Sequence, residues 1–193
     1  SSDVCSSDLS GIILTEEGVI IVDTGQNAIE SRSIMATVRK LTQLPVLMVI
    51  NTEPHRDHTT GLFVFSPPAV VVAAAGAGDS MRAVDRAEPD RIRQQSAISP
   101  EMKAALEGYR FVTPTLEYQQ RTTVSMGGRT LELFYMKGEH SEADTAVWLP
   151  RERILFSASA FVNNQINIFR PIVNIADILA AGKMMKSLNP EQV

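Results

Sequence analysis

Cysteine is almost absent from this sequence, with one residue, Cys5, in a chain of 193. A single cysteine excludes an intrachain disulfide framework and a cysteine-rich zinc site. Long apolar runs are also absent. The apolar stretch Pro68–Ala75, for example, is far shorter than the roughly 20 residues of a membrane-spanning helix. Neither absence decides the compartment, which stays open between cytoplasm and periplasm.

No charge of one sign dominates the chain, whose net charge is −4 with acidic and basic residues interspersed. No basic strip suited to a phosphate backbone stands out, so we expect a small-molecule substrate rather than nucleic acid. A hydrophobic content of 44% supports one substantial core and therefore one domain. The oligomeric state stays open.

The two ends of the chain differ from the middle. Ser1–Leu9 is rich in Ser and Asp and has no hydrophobic period, so we expect residues 1–9 to be an artefactual or disordered leader. Residues 10–193 form the expected domain. Pro190–Val193 resembles the approach to another strand, which predicts a domain that is incomplete at its carboxyl end.

The first half of the chain alternates between strand and helix patterns. Gly11–Leu14 and Val19–Val22 flank a turn that ends in glycine, which predicts a hairpin. Apolar residues within Ile29–Leu41 recur at helical spacing. Val46–Ile50 and Val70–Ala75 are continuous apolar runs, typical of buried strands.

The second half begins with a charged, alanine-rich stretch and then returns to strands. Asp79 and Ser99 are the predicted caps of two helices. Further strands are predicted at residues 120–124, 130–135, 145–149 and 154–157, followed by a helix at residues 175–188. Mixed strands with helices at intervals indicate a layered α/β protein.

All three histidines fall in two polar loops that follow predicted strands. The first loop reads NTEPHRDHTTG over residues 51–61 and holds Glu53, His55, Asp57 and His58 within six positions; the second contains His140. Imidazole nitrogen and carboxylate oxygen are ligands that zinc and similar cations accept. A lone histidine is usually an ordinary surface residue, but this density directly after a buried strand predicts a present or former metal site.

Four segments together resemble the metallo-β-lactamase superfamily. Asn51–Gly61 is similar to that family's Asn-Thr-His-x-His-x-Asp-His-x-x-Gly loop, and Gly18–Gly25 resembles its opening strand with the Asp-Thr-Gly ending. Gly138–Thr145 resembles Gly-His-Thr-x-Gly-Asp, and Leu155–Phe161 stands where the family has Leu-Phe-x-Gly-Asp-x-Phe. The resemblance implies an α/β fold of the four-layer αββα sandwich type.

The resemblance also implies roles for individual residues. His55 and His140 would bind a first metal, and Asp57 and His58 would bind a second. Asp23 would accept hydrogen bonds from the loop and orient the ligands. The implied cofactor is zinc, as one or two ions, with iron or manganese as alternatives.

Three departures from the family pattern change the expected ligand set. Glu53 stands where the family has histidine, and its harder oxygen favours iron or manganese relative to zinc. Ser159 stands where a bridging aspartate is expected, and the family's last histidine would lie beyond Val193. We therefore expect Glu53, His55 and His140 to form one site, and the second site to be weak or empty.

The resemblance implies a metal-dependent hydrolase of a small ester, thioester, lactone or amide. Such an enzyme acts through a metal-activated water, which Asp57 would orient or deprotonate. Two alternatives stay open. Glu53 and Ser159 are also compatible with a catalytically degenerate binding or assembly domain, and a carboxylate-containing site suits an iron-dependent oxidoreductase.

Overall fold

The computed structural model describes residues 9–84, 94, 97–161 and 173–193. The expected leader therefore lies outside the described residues, except for its last member, Leu9. The first sheet contains β1 Gly11–Leu14, β2 Val19–Val22, β3 Val46–Ile50, β4 Val70–Ala74 and β5 Leu116–Tyr118. The second contains β6 Arg121–Met126, β7 Arg129–Tyr135, β8 Thr145–Leu149 and β9 Ile154–Phe156.

Six α-helices and one 3₁₀ turn accompany these strands in the described part of the chain. The helices are α1 Ala28–Leu41, α2 Arg56–Thr59, α3 Leu62–Phe65, α4 Ala77–Val84, α5 Pro100–Ala105 and α6 Ile175–Ser187. The 3₁₀ turn is Ala158–Ala160. Among the described residues, no helix combines the length and the apolar character that crossing a bilayer requires.

The two sheets differ in strand direction. In the first sheet β1 pairs antiparallel with β2, as the predicted hairpin requires, and β2 to β5 run parallel in chain order. The second sheet is antiparallel throughout, in the order β6-β7-β8-β9. Every residue of β2 is buried, as expected for a strand covered on both faces.

Three apolar clusters define the layers. Between the sheets, Ile20 and Val72 of the first sheet belong to the same buried cluster as Leu133 of the second. On the outer face of the first sheet, the buried cluster includes Val38 of α1, and on the outer face of the second it includes Ala181 of α6. The order is helix, sheet, sheet, helix, which confirms the predicted αββα sandwich.

One predicted helix cap is wrong. Helix α4 begins at Ala77, so Asp79 lies within its first turn. The carboxylate of Glu117 in β5 accepts hydrogen bonds from the backbone N–H groups of Gly76 and Gly78, at 3.2 and 2.8 Å. Backbone N–H groups at the start of α4 thus bond to a strand far along the chain. The local sequence does not indicate this interaction. Ser99 caps α5 as expected, accepting from Met102.

Candidate metal centre

The two histidine loops meet where the sheets converge. The first loop follows β3, and the second ends where β8 begins at Thr145. The backbone N–H of Thr145 donates to the carbonyl oxygen of Thr52 at 2.7 Å. The hydroxyl of Tyr118 in turn donates to Thr145 Oγ1 at 3.0 Å. These bonds join the first sheet and its histidine loop to the second sheet.

Asp23 anchors the first loop from the end of β2. Its backbone has φ +58°, a left-handed conformation that aspartate tolerates better than most residues. Its Oδ1 accepts from the N–H of Thr52 at 2.8 Å, and its Oδ2 accepts from Thr52 Oγ1 at 2.5 Å and lies 2.8 Å from His58 Nδ1. The predicted contact of Asp23 with the loop is therefore present in the structure.

The loop ends at a glycine because the chain passes too close to α1 for any side chain. A Cβ at Gly61 would lie 2.6 Å from the carbonyl oxygen of Thr24 and closer still to Ser31 Oγ. Ser31 occupies that space because its hydroxyl donates to the carbonyl oxygen of Thr24 at 2.6 Å. The last residue of the loop motif is thus fixed by packing against α1.

Glu53, His55 and His140 converge, as expected from the sequence. Glu53 is 1% exposed; its Oε2 contacts His55 Nδ1 and lies 3.4 Å from His140 Nε2. One ligand atom from each of the three residues lies within 4.8 Å of the other two. Ligands about 2.1 Å from a tetrahedral ion are about 3.4 Å apart, the separation that Glu53 and His140 show, so these three residues could hold one cation.

The second oxygen of Glu53 faces the other side of the site. Its Oε1 lies 2.8 Å from His58 Nε2 and accepts a hydrogen bond from Ser159 Oγ. Ser159 comes from the 3₁₀ turn after β9, so the motif position noted in the sequence does lie at the site. The Glu53 carboxylate therefore separates two groups of polar side chains.

Asp57 and His58 do not belong to the donor group formed by Glu53, His55 and His140. His58 is 3% exposed and lies between Asp23 and Glu53. Asp57 Oδ2 is 3.6 Å from His58 Nε2, and its side chain is 31% exposed. Within the described residues, the one group of three or more converging donors is Glu53, His55 and His140. A second metal position at Asp57 and His58 stays a prediction.

The second histidine loop is anchored by an aspartate of its own. Asp144 Oδ2 accepts from the backbone N–H groups of His140 and Ser141, both at 2.7 Å, and Asp144 Oδ1 accepts from Ser141 Oγ. Sequence reasoning gave Asp144 no role beyond its place in the motif. Its position four residues after His140 was the available signal, because aspartate at that spacing can bond loop backbone.

Burial and opposite charges compete at the centre of the site. Burial acts to raise the pKa of Glu53, but the charge of His58 and hydrogen bonds with His55 and His58 outweigh it and hold that pKa well below its usual value. Burial acts to lower the pKa of His58, but the carboxylates of Asp23 and Glu53 raise it well above the usual value.

The second loop carries carboxyl groups with the opposite tendency. Burial raises the pKa of Glu139 to about 7, and repulsion from Asp144 and Glu53 adds to the effect. Burial also raises the pKa of Asp144, although hydrogen bonds from Ser141 oppose it. Negative charge is therefore stabilised at Glu53 and disfavoured beside His140.

Comparison with known proteins identifies the family. The sequence profile of the metallo-beta-lactamase superfamily matches residues 6–191, so the chain belongs to this superfamily. Solved structures agree on the fold. A metallo-beta-lactamase from Pontibacter korlensis superposes with a TM-score of 0.67 at 18% identity, covering 91% of this chain and 72% of that one. A metallo-beta-lactamase family protein from Thermus thermophilus gives a TM-score of 0.70 at 15% identity, covering 95% and 66%.

Curated relatives include enzymes with different names. A linear primary-alkylsulfatase from Pseudomonas sp. is 25% identical over 173 residues, covering 76% of this chain and 32% of the relative. An acyl-coenzyme A thioesterase from Bos taurus is 29% identical over 134 residues, covering 68% and 47%. A metallo-beta-lactamase type 2 from Bacteroides fragilis is 36% identical over 64 residues, covering 33% and 24%. The chain thus spans less than half the length of each of these relatives.

Proposed function

We propose that this chain carries the metal centre of a hydrolase that cleaves a small ester or thioester, with lactones and amides as further members of the substrate class. The observation that carries the proposal is the convergence of Glu53, His55 and His140 within 4.8 Å. Two imidazoles and a carboxylate form a ligand set found in hydrolytic zinc sites. Relatives named as an alkylsulfatase and an acyl-coenzyme A thioesterase favour an ester or thioester.

Different residues of the site would bind the cation, activate the water and hold the loop in place. When bound, a cation lowers the pKa of water towards about 7 and polarises the scissile carbonyl. Glu53, His55 and His140 would hold that cation. Asp57, whose side chain is 31% exposed beside His58, would orient the attacking water or accept its proton. Asp23 would keep the loop fixed through its bonds to Thr52.

Metal loading followed by a substrate panel tests this function. The purified protein would be stripped with a chelator, reloaded separately with zinc, manganese or iron, and assayed on chromogenic esters, thioesters, lactones and amides. We expect turnover that the chelator abolishes and metal restores. His55→Ala and His140→Ala should each lower kcat/KM by about 100-fold or more, because each removes one ligand.

Glu107→Gln is the matched control, since it neutralises an exposed carboxylate outside the donor group. Turnover that survives both histidine substitutions, or that ignores the chelator, would refute the proposal. A folded protein that retains no stoichiometric metal favours the binding-domain alternative, and metal binding without turnover of any substrate also counts against the hydrolase. Selective retention of iron together with oxygen consumption favours the oxidoreductase alternative.

A further inference from the structure

The carboxylate of Glu53 presents a different oxygen to each side of the site. Oε2 contacts His55 Nδ1 and lies 3.4 Å from His140 Nε2. Oε1 accepts from Ser159 Oγ and lies 2.8 Å from His58 Nε2. A carboxylate attached through a flexible side chain can rotate, so whatever holds Oε1 also decides where Oε2 points.

We propose that Ser159 is the positioning residue for Glu53: its hydroxyl holds Oε1 and thereby keeps Oε2 directed at His55 and His140. The identities of residues 53 and 159 are then coupled, because Ser159 donates to Glu53 Oε1 beside His58, whereas an aspartate at position 159 would bring a second carboxylate there. The inference rests on the proposed metal centre, in which Glu53 is a ligand. A hydroxyl suits this task, since it donates one hydrogen bond to a carboxylate and adds no charge.

The backbone around Ser159 is built to bring its side chain to this point. Ser159 follows Ala158, whose φ of +52° is left-handed, a conformation that residues other than glycine seldom adopt. The family pattern has glycine at the position of Ala158. Ser157, which precedes the turn, is buried at 9% exposure. An alanine in an unfavourable conformation is retained where its surroundings hold it, and here the turn places Ser159 against Glu53.

The coupling reverses an expectation based on family resemblance alone. In the family pattern, position 53 is histidine and position 159 is aspartate, so Ser159→Asp would be expected to restore metal binding. In this chain an aspartate at position 159 would face the buried Glu53 carboxylate across hydrogen-bond distance. Two acceptors of like charge repel each other there, so Ser159→Asp should weaken the site unless Glu53 is exchanged as well.

The test is a double-mutant cycle on the full chain, with Ser159→Ala, Ser159→Thr, Ser159→Asp, Glu53→His and the double variant Glu53→His/Ser159→Asp. Zinc affinity is measured by competition with a chromogenic chelator, and the unfolding temperature is measured without metal. We expect Ser159→Ala to weaken zinc binding about tenfold and Ser159→Thr, which keeps the hydroxyl, to bind like the parent. Ser159→Asp should bind more weakly than Ser159→Ala and unfold at a lower temperature.

The double variant should recover affinity and unfolding temperature relative to Ser159→Asp, which is the signature of coupling. The proposal is overturned if Ser159→Ala binds zinc like the parent, if Ser159→Asp binds more tightly, or if the double variant shows only the sum of the single effects. A folded parent that binds no zinc overturns it together with the proposed function. If the zinc affinities of the variants differ as expected but no substrate is hydrolysed, only the proposed function is overturned. If substrate is hydrolysed but the zinc affinities do not differ as expected, only the role of Ser159 is overturned.

Discussion

The two histidine loops are held in place by different means. The first loop, residues 51–61, is anchored from distant elements: Asp23 at the end of β2 bonds to Thr52 and His58, and Gly61 packs against α1 at Ser31. The second loop, residues 138–144, is anchored by Asp144 within the loop itself. The geometry of the first loop is therefore part of the fold, whereas that of the second is largely local.

This difference predicts where substitutions act. Removing a first-loop anchor should lower the stability of the whole domain, because the anchor also joins β2, β3 and α1. Removing a group from the second loop should have smaller effects that depend on pH, since burial rather than an opposite charge dominates the pKa of Glu139.

The largest effect is expected for Asp23→Ala. The substitution removes an acceptor from two donors of Thr52 and leaves His58 Nδ1 without its carboxylate. It also places alanine at φ +58°. Loss of one partner from a buried charged network typically costs about 3–5 kcal/mol, and we expect a decrease of that size in the free energy of unfolding, measured by urea titration of metal-free protein.

Asp23→Asn is the matched control for this prediction. Asparagine keeps one acceptor and tolerates the left-handed conformation, so we expect a loss of about 1–2 kcal/mol. Equal losses for the two variants would show that the charge alone matters, and a negligible loss for Asp23→Ala would mean that the first loop is not anchored from β2.

A second prediction compares two glycines. At Gly61 an added Cβ would lie 2.6 Å from the carbonyl oxygen of Thr24, so Gly61→Ala forces the loop away from α1 and should cost about 3 kcal/mol. At Gly182, within the exposed face of α6, an added Cβ meets nothing within 4 Å. Gly182→Ala should instead stabilise the protein by about 0.5–1 kcal/mol through helix propensity.

Chemical denaturation of both alanine variants provides the measurement. A lower free energy of unfolding for Gly61→Ala and a higher one for Gly182→Ala would confirm that the close approach of α1, rather than glycine flexibility in general, determines the residue at position 61. If Gly61→Ala is neutral, the packing of the first loop against α1 does not hold its position.

The sequence is sufficient to predict eight of the nine described strands, the layers and the converging donor group. Apolar runs such as Val46–Ile50 predicted strands because a strand buried on both faces has no polar alternation. The convergence of Glu53 and His140 followed from the family resemblance. These features depend on local pattern or on motif spacing, and both are visible in one chain.

Features that depend on distant contacts were not predicted. The sequence pattern does not indicate the short strand β5, nor the bond from its Glu117 to the start of α4. The loop at residues 51–61 contains a helical turn, α2, where only irregular structure was expected. The family pattern does not indicate the contact of Ser159 with Glu53 either. It places both positions at the site, but it has other residues at each of them, so it carries no information about a bond between a serine and a glutamate there.

The third prediction, with an effect smaller than those of Asp23→Ala and Gly61→Ala, concerns Glu139 and pH. Its pKa in the folded protein is raised from 4.5 to about 7, so the folded state binds a proton that the unfolded state releases. The stability contributed by this group is fully present below about pH 4.5 and is lost as the pH rises to about 7. We expect the free energy of unfolding of Glu139→Gln, relative to the parent, to increase by about 2 kcal/mol over that range.

Two other shifted groups act mainly outside this pH window. The lowered pKa of Glu53 contributes stability that is lost as the pH falls below about 4.5. The raised pKa of His58 contributes stability that is lost only as the pH rises through its raised value, above 6.5. The difference between Glu139→Gln and the parent largely removes both contributions, together with that of Asp144, whose pKa burial also raises, because all three groups occur in each protein.

Urea titrations of chelator-treated protein across the window measure this difference. Glu142→Gln is the control, because Glu142 is exposed in the same loop and its substitution should leave the pH profile unchanged. A constant difference between Glu139→Gln and the parent at all pH values would contradict the prediction. It would mean that Glu139 titrates alike in the folded and unfolded states, and the two histidine loops would then not differ in how they respond to protons.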